Sequence, residues 1–315
     1  MKKYIPICFG AALFFTACSA SKRGLFVKRT PHEAYAARIT DAGLRESLLG
    51  GRWFAAAEKG LARPLGITLP YQETGYFSAE DPDAAGFSFA ARRGEQLYIT
   101  VQVKPAGSLL VFTDLWQPAS DGGSPQHLAS ADTLRTLQYD VERDGRFILR
   151  LQPELLNNVE YTIQIVTRPS LAFPVPGKSN ARIGSFWGAA RDGGARSHEG
   201  VDIFAKRRTP VVAAADGHVT RTGENNLGGK VVFMRPAQRD ISLYYAHLDS
   251  QLVQPGQRVS AGDTLGLIGN PGNARNTEPH LHFGIYTASG AVDPLPYIQQ
   301  NRKAPAEISA PITPI

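Results

Sequence analysis

The sequence predicts a mainly β fold made of antiparallel sheets, and three observations support this fold class. In residues 75–168, short apolar or alternating runs are separated by Gly, Pro, Asp and Asn, which is typical of strands joined by tight turns. In residues 177–298, short strand patterns again alternate with turn residues, without a long helical repeat. A helical pattern is confined to residues 30–74, ahead of both β regions.

The helical segment is predicted to begin at Thr30, which suits an N-cap. Pro31 suits the first helical position, and Glu33 completes a capping box. The alanine-rich sequence that follows predicts short helices that extend to about residue 63. His32 lies in the first turn, where we expect an exposed side chain.

Glycines divide this helical segment. We expect interruptions near residues 42–43 and 50–51, because glycine is unfavourable inside a helix. Trp53 and Phe54 are the apolar side chains expected to anchor the second helix. The sequence therefore predicts two short helices rather than one long one.

Residues 75–168 predict an antiparallel β-sandwich accessory domain. Its expected strands share apolar or alternating patterns and lie at residues 87–90, 96–103, 109–112, 146–151 and 160–166. His127 lies in a polar stretch, where we expect a solvated side chain. This region contains no recognisable catalytic constellation, so its role as a spacer, a wall binder or a partner binder stays open.

The formal net charge is +6 and the pI is near 9.3. A positive excess favours polyanionic surroundings, although a merely basic soluble surface is equally compatible with it. The sequence has neither a basic platform interleaved with aromatic residues nor a basic recognition helix. We therefore expect no nucleic-acid partner.

The N-terminus has the pattern of an export signal. Lys2 and Lys3 precede an apolar run at residues 5–15 that is too short to span a membrane as a helix. Small residues then stand directly before Cys18, as in bacterial lipoprotein signals whose cysteine is lipidated. An ordinary secretory signal cleaved near Ala20 is the alternative.

The lipoprotein pattern predicts a signal peptide at residues 1–17, lipidation of Cys18 and a tether at residues 18–29. Ser19 resembles an outer-membrane sorting residue of bacteria with two membranes, so we expect a lipid-anchored envelope protein facing the periplasm. The other cysteine is Cys8, inside the predicted signal. The mature chain should therefore be stable without disulfides.

Two histidines near the C-terminus lie two residues apart on a predicted strand. Because side chains alternate along a strand, His280 and His282 would share one face, while Leu281 and Phe283 would face the core. Neutral imidazole is a common ligand of transition metals. Two hydrogen-bonded surface histidines would show the same spacing.

Further chemistry-bearing residues lie upstream of this pair. Three residues separate His198 from Asp202, and Val201 and Ile203 flank Asp202 as core residues would. His247 lies between the two histidine motifs. This part of the chain has no cysteine, so it offers nitrogen and oxygen ligands, which are typical of catalytic rather than structural zinc sites.

Three motifs together resemble the lysostaphin/LytM-type zinc endopeptidases, which cut the peptide part of bacterial peptidoglycan. They are His-x-Gly-x-Asp at 198–202, Tyr-x-His-Leu at 245–248 and Pro-His-Leu-His-Phe at 279–283. The likeness covers roughly residues 173–298 and includes the segments 182–188, 211–217, 254–263 and 266–270. It implies an antiparallel sheet crossed by a groove, the duplicated hybrid motif.

The resemblance implies a role for each motif residue. His198, Asp202 and His282 would bind Zn²⁺, which would then be a strong Lewis acid able to activate water. His280 would act as the general base, and His247 would stabilise the oxyanion of the tetrahedral intermediate. The division of labour between these two catalytic histidines stays open.

A few positions bear on substrate fit. Glu278, Gly284 and Pro271 stand where the family usually has Gly, Glu and Thr, and none of them is an expected ligand. Tyr245 lies two residues before His247, so we expect both on one strand face and predict that Tyr245 binds substrate. Packing in the core is the alternative for Tyr245.

The predicted organisation ends with a linker at 169–176, a zinc metallopeptidase domain at 177–298 and a disordered tail at 299–315. The expected function is hydrolysis of peptide cross-links in peptidoglycan, by D,D-endopeptidase activity. A non-catalytic or autoinhibited regulator of wall hydrolases is the main alternative, and the 75–168 domain is a possible contact for a protein regulator. A protease acting on proteins would share the chemistry, whereas a biotinyl-type carrier lacks its lysine within residues 254–267.

Overall fold

The computed structural model describes residues 29–105, 109–119, 121–131, 136–177, 181–299 and 304–306. The predicted signal peptide, Cys18 and nearly all of the tether lie outside the described residues, as does most of the predicted tail. Among the helices of the described part, none is both long and apolar enough to cross a membrane.

The described residues form three helices: α1 Pro31–Asp41, α2 Leu48–Ala62 and α3 Leu295–Ile298. The capping box is confirmed, because Thr30 Oγ1 accepts a hydrogen bond from the Glu33 amide while the Glu33 carboxylate accepts one from the Thr30 amide. The predicted interruption near residues 42–43 is also confirmed, since α1 ends at Asp41.

The predicted interruption at residues 50–51 is wrong, because both glycines lie inside α2. Ser47 caps this helix by accepting a hydrogen bond from the Gly50 amide at 3.1 Å. A Cβ atom on Gly50 would lie 2.0 Å from the Leu44 carbonyl oxygen. Glycine at this position therefore permits a close approach of the preceding turn instead of ending the helix.

The predicted sandwich is present as two sheets that enclose one apolar core. One sheet has the order β1-β3-β8-β5-β6 and the other β2-β9-β4-β7; all neighbours are antiparallel except β1 and β3. The strands are β1 Leu65–Gly66, β2 Tyr71–Phe77, β3 Ala85–Ala91, β4 Glu95–Lys104, β5 Val111–Gln117, β6 Gln126–Ser130, β7 Thr136–Asp140, β8 Gly145–Pro153 and β9 Val159–Pro169.

Strand β8 is buried on both faces because the helices cover the side that is turned away from the sandwich core. Leu149 belongs to that core, whereas Gln152 donates a hydrogen bond to the Trp53 carbonyl at 2.8 Å on the helix side. Trp53 is fully buried, and its Nε1 donates to the Pro153 carbonyl at 2.9 Å. The predicted anchoring role of Trp53 is confirmed.

His32 is buried, so the expectation of an exposed side chain is wrong. Its ring stacks on Trp53 with centroids 4.6 Å apart, and its Nε2 donates to Gln152 Oε1 at 2.7 Å. Burial, followed by the nearby positive charge of Arg150, lowers the pKa of His32 to about 4. Contacts with Trp53 of α2, Phe112 of β5 and Gln152 of β8 bury this side chain, and the local sequence pattern does not reveal them.

His127 is half-buried on β6, so the expectation of a solvated loop residue is also wrong. Its Nε2 lies 2.9 Å from Ser130 Oγ, and Ser130 donates to Asp114 Oδ1 at 2.7 Å. Arg150 Nη2 donates to the other oxygen of Asp114, also at 2.7 Å, and both of these side chains are buried. We call His32, Asp114, Arg150 and Gln152 the helix-side cluster.

A ten-stranded antiparallel sheet follows, with the main order β10-β13-β20-β17-β16-β15-β18. Off this path, β19 pairs with β17 and β14, and β21 pairs with β20, while β11 and β12 form a separate hairpin. The strands are β10 Arg182–Ser185, β11 Ala190–Arg191, β12 Arg196–Ser197, β13 Val201–Phe204, β14 Pro210–Val212, β15 Gly217–Asn225, β16 Gly229–Pro236, β17 Ser242–Gln251, β18 Arg258–Val259, β19 Thr264–Ile268, β20 His280–Thr287 and β21 Gly290–Val292. Short 3₁₀ turns occur at Asp192–Gly194 and Gly272–Ala274.

The segment predicted as a linker packs against this sheet, because Leu171 and Val175 belong to its apolar core. Arg239 joins the two β regions by donating hydrogen bonds to Asp140 Oδ2 and to the Ser170 carbonyl, each at 2.5 Å. The domain limits stay a prediction.

Candidate active site

Strands β13 and β20 place two of the predicted ligands side by side. Their antiparallel register pairs Asp202 with His282, and residues paired directly across a ladder point to the same face. Val201 and Ile203 are fully buried on the other face, as predicted. The alternation of a β-strand is therefore what aims the Asp202 carboxylate and the His282 imidazole at the groove.

His198 reaches the same point from the base of the β11–β12 hairpin. Its amide donates to the Ala189 carbonyl at 2.9 Å, and its side-chain Nδ1 lies 2.9 Å from the Phe186 carbonyl oxygen. A carbonyl can only accept a hydrogen bond, so Nδ1 carries the proton and Nε2 offers a lone pair. This contact fixes both the tautomer and the direction of the ring.

Three side-chain atoms meet in a small triangle. His198 Nε2 lies 3.0 Å from Asp202 Oδ1 and 3.0 Å from His282 Nδ1, and the third side, from His282 Nδ1 to Asp202 Oδ1, is 3.1 Å. Ligands about 2.0–2.1 Å from a tetrahedral ion lie ~3.3 Å apart, close to these spacings. The donor set and its size therefore fit one small transition-metal ion.

Gly200, between His198 and Asp202, makes room for this arrangement. A Cβ atom there would lie 2.6 Å from Cε1 of His282 and 2.7 Å from its Nε2. Any larger residue would displace the His282 ring. This steric limit explains why the His-x-Gly-x-Asp motif has glycine at this position.

Asp202 is buried and is bound through both of its oxygens. Oδ1 belongs to the triangle, and Oδ2 accepts a hydrogen bond from Arg191 Nη2 at 2.7 Å. Burial alone would raise the pKa of Asp202, but the adjacent imidazoles of His198 and His282 hold it well below the usual range. The carboxylate is therefore ionised at neutral pH, as a metal ligand must be.

His280 lies beside the triangle on the same face of β20. Its Nδ1 donates to the Glu278 carbonyl at 2.8 Å, which leaves the lone pair on Nε2. Nε2 lies 3.9 Å from Asp202 Oδ1, too far for a hydrogen bond. The ring therefore presents a basic nitrogen next to the ligand atoms.

His247 faces His280 across the groove, with ring centroids 4.9 Å apart. Its backbone has φ of 62°, and the β17 register shifts around it, so a bulge turns the side chain toward the groove. Its Nδ1 lies 3.0 Å from the Pro271 carbonyl oxygen. Burial, together with His280 and His282, lowers the pKa of His247 to about 4.

The same bulge makes the prediction for Tyr245 wrong. Tyr245 is fully buried, packs on Phe283 and accepts a hydrogen bond from the Ala214 amide at 3.0 Å through its hydroxyl. Because His247 interrupts the alternation of β17, Tyr244 instead shares the face of His282, with ring centroids 5.8 Å apart. Tyr244 therefore lines the groove, and Tyr245 stabilises the core.

The site opens into a groove with a volume of about 950 Å³. All of its lining residues lie between positions 185 and 286, so no described residue of the sandwich or of α1 and α2 lines it. Besides the five motif residues, the groove walls include Arg191, Arg196, Glu199, Asn225, Tyr244, Asn273, Thr277 and Tyr286.

Part of the chain that carries this site matches a known protein family. Residues 196–294 match the sequence profile described as peptidase family M23. This part of the chain is a family M23 peptidase domain. The match contains His198, Asp202, His247, His280 and His282, and it begins within the hairpin that carries Arg191.

Parts of the chain are also similar to individual curated proteins. The L-Ala–D-Glu endopeptidase of Bacillus subtilis is 36% identical over 140 residues, which are 41% of this chain and 43% of that protein. The peptidoglycan DD-endopeptidase ShyC of Vibrio cholerae is 40% identical over 88 residues, which are 28% of this chain and 20% of that protein. The chain thus spans less than half the length of these curated relatives.

Part of the chain is also similar to a solved structure. The catalytic domain of lysostaphin from Staphylococcus simulans is 32% identical, with a TM-score of 0.35, and the alignment covers 38% of this chain and 92% of that one.

Two groove residues, Arg191 and Tyr244, were not identified from the sequence. Arg191 lies outside the recognised motifs, and its contact with Asp202 depends on how the hairpin folds back. Tyr244 could have been identified only by knowing that His247 adopts a positive φ, since ordinary strand alternation favours Tyr245.

Proposed function

We propose that this protein is a zinc-dependent endopeptidase that hydrolyses the peptide cross-links of bacterial peptidoglycan, with D,D-endopeptidase activity. The observation that carries the proposal is the pair formed by His247 and His280, whose Nδ1 atoms are engaged by backbone carbonyls beside the ligand triangle. A structural metal site does not need two further oriented imidazoles, whereas hydrolysis of an amide needs proton transfer at two atoms.

The metal would be held by His198 Nε2, Asp202 Oδ1 and His282 Nδ1. Two nitrogens and one carboxylate oxygen form the ligand set of a catalytic zinc site, with one position left for water or substrate. Zinc bound there would polarise the scissile carbonyl and make water more acidic. The contact from His198 Nδ1 to the Phe186 carbonyl holds that ligand in place.

His280 is the proposed general base. Its free Nε2 would take a proton from the attacking water and later return it to the leaving amine. The Glu278 carbonyl keeps the proton of the neutral ring on Nδ1 and stabilises the imidazolium that forms. This chemistry uses the backbone of Glu278, which explains how the side chain at that position can depart from the family pattern.

His247 is proposed to stabilise the oxyanion. In the neutral ring the Nδ1 proton is engaged by Pro271, so Nε2 must gain a proton before it can donate a hydrogen bond. The negative charge of the tetrahedral intermediate favours that gain. A prolyl carbonyl accepts the bond as well as any other, so Pro271 in place of the usual Thr is compatible with this role.

The substrate class rests on the names of two relatives, a peptidoglycan DD-endopeptidase and an L-Ala–D-Glu endopeptidase. We favour the D,D bond because the predicted lipid anchor at Cys18 would hold the enzyme at the outer membrane, facing the periplasm. A protein regulator that contacts residues 75–168 belongs to the same proposal.

The test is digestion of purified sacculi by the chain without residues 1–18, with and without a zinc chelator, followed by mass spectrometry of the fragments. We expect cross-linked dimers to be lost, and the chelator should stop this loss. The loss should be absent in His280→Ala. It should persist in the control variant His218→Ala, because His218 lies on β15, outside the groove. Zinc-loaded protein that releases no fragment would contradict the proposal and favour a regulatory role. Cleavage at L-Ala–D-Glu would refute only the D,D assignment.

A further inference from the structure

Arg191 makes a two-sided contact beside the ligand triangle. Its Nη2 donates to Asp202 Oδ2 at 2.7 Å and to Ser185 Oγ at 2.7 Å. Ser185 is also paired with Asp202 across β10 and β13. The guanidinium therefore joins the hairpin that leads to His198 with the strand that carries Asp202.

We propose that Arg191 is a positioning residue that restricts Asp202 to binding the metal through one oxygen; this rests on the metal site of the proposed function. A carboxylate can bind a metal through one or both oxygens. With Oδ2 held by Arg191, only Oδ1 would be free to bind the ion, so the position that a second carboxylate oxygen would occupy would stay open for water or substrate. By the same bond, Arg191 holds the hairpin against the sheet and so fixes the approach of His198.

The positive charge of Arg191 and its contact with Asp202 would have opposite effects on metal affinity, so an experiment can separate them. A guanidinium near a cation repels it, so removal of a merely nearby charge should tighten metal binding. Removal of a positioning contact should weaken it, because Asp202 is buried and its Oδ2 would lose the hydrogen bond that orients it. The direction of the change in affinity separates the two roles.

The experiment is equilibrium competition for Zn²⁺ between a chromophoric chelator and the chain without residues 1–18. We expect Arg191→Ala to bind Zn²⁺ about 10- to 100-fold more weakly, as other outer contacts of metal ligands do. Arg191→Lys should lose less zinc affinity than Arg191→Ala, because a single N–H donor of lysine can still reach Oδ2 of Asp202. Arg235→Ala is the matched control, since Arg235 also pairs with an aspartate, Asp240, but does so at the surface and outside the groove; the zinc affinity of this variant should not fall.

A second readout separates positioning from folding. The absorption spectrum of the Co²⁺-substituted protein reports coordination number, and we expect Arg191→Ala to shift toward a higher number as Asp202 engages both oxygens. Thermal unfolding of the metal-free variants identifies any that do not fold, and Arg191→Lys and Arg191→Gln then carry the test. Unchanged or tighter zinc binding in folded Arg191 variants would overturn the inference alone, whereas a wild-type chain that binds no zinc would overturn the proposed function as well.

Discussion

Two buried polar clusters in this molecule contain histidine, carboxylate and arginine side chains, but they differ in how their charges are balanced. In the helix-side cluster, Arg150 and Asp114 pair at 2.7 Å, and both are almost fully buried. In the groove, Asp202 is paired with Arg191 through one oxygen only, while its other oxygen faces two imidazole nitrogens. We call Arg191, His198, Asp202, His247, His280 and His282 the groove cluster.

The difference shows why burial of a histidine is a poor sign of function by itself. His32 and His247 have the same direction of pKa shift, to about 4 in each case. His32 is stacked on Trp53 and bonded to Gln152 beneath the helices, so its polar atoms serve the packing. His247 and its neighbours line a groove of about 950 Å³, so their nitrogens can serve a ligand.

The largest expected effect comes from removing a ligand in the groove cluster. His282→Ala should abolish cleavage of sacculi and reduce bound zinc, because two remaining ligands cannot hold the ion in a catalytic geometry. Fragment release and zinc content measure both effects. A variant with full zinc and full activity would refute the ligand assignment, and His218→Ala is the control for loss of a histidine.

In the helix-side cluster, the expected effect is on stability alone. Arg150→Met leaves Asp114 charged and buried without its partner, which typically costs about 3–5 kcal/mol of unfolding free energy. Denaturant unfolding measures this loss, and activity per folded molecule should stay constant. The double variant Asp114→Leu/Arg150→Met should lose less than Arg150→Met, and an equal or greater loss would contradict an ion-pair cause.

His280→Ala should retain zinc but slow turnover by about 10²–10³-fold, which corresponds to about 2.7–4 kcal/mol of transition-state stabilisation. The ring touches no atom needed to hold the ligand triangle, so metal content should match that of the wild type. The kcat for a cross-linked muropeptide measures the effect. An unchanged kcat would remove His280 from the mechanism.

His32 should make folding sensitive to acid. Burial, then the charge of Arg150, lowers its pKa from 6.5 to about 4, so the folded state binds fewer protons than the unfolded state between these values. Stability should therefore fall as the pH drops from about 6.5 to 4, by roughly 3 kcal/mol for this group. His32→Gln should show a smaller fall over this window, and identical pH profiles would contradict the assignment.

The smallest effect concerns the two neighbouring tyrosines of β17. Tyr245→Phe leaves the buried Ala214 amide without its partner, which typically costs about 1–3 kcal/mol. Chemical denaturation measures it, and KM should not change. Tyr244→Phe is the matched variant, with little expected loss of stability and a changed KM; the reverse pattern would contradict the placement of the two rings.

Local rules were enough for the features that depend on neighbours in sequence. The capping box at Thr30 and the opposite orientations of Asp202 and Val201 follow from helix and strand geometry and were predicted. The mainly β fold class was also predicted, because turn residues separate the apolar runs throughout residues 75–298.

The features that could not be predicted depend on distant packing or on an irregular backbone. His32 is buried by a strand more than a hundred residues away, as its bond to Gln152 shows. Tyr245 was assigned to the groove because a bulge at His247 is invisible to a simple alternation. Arg191 reaches Asp202 only because the β11–β12 hairpin folds back over the sheet.

The most direct test of the central claim is anomalous diffraction at the zinc edge from crystals of the zinc-loaded chain. The comparison of the two clusters predicts one peak within bonding distance of His198, Asp202 and His282, and none at His32 and Asp114. A peak at the helix-side cluster, or zinc-loaded crystals without a peak at the groove cluster, would contradict the account.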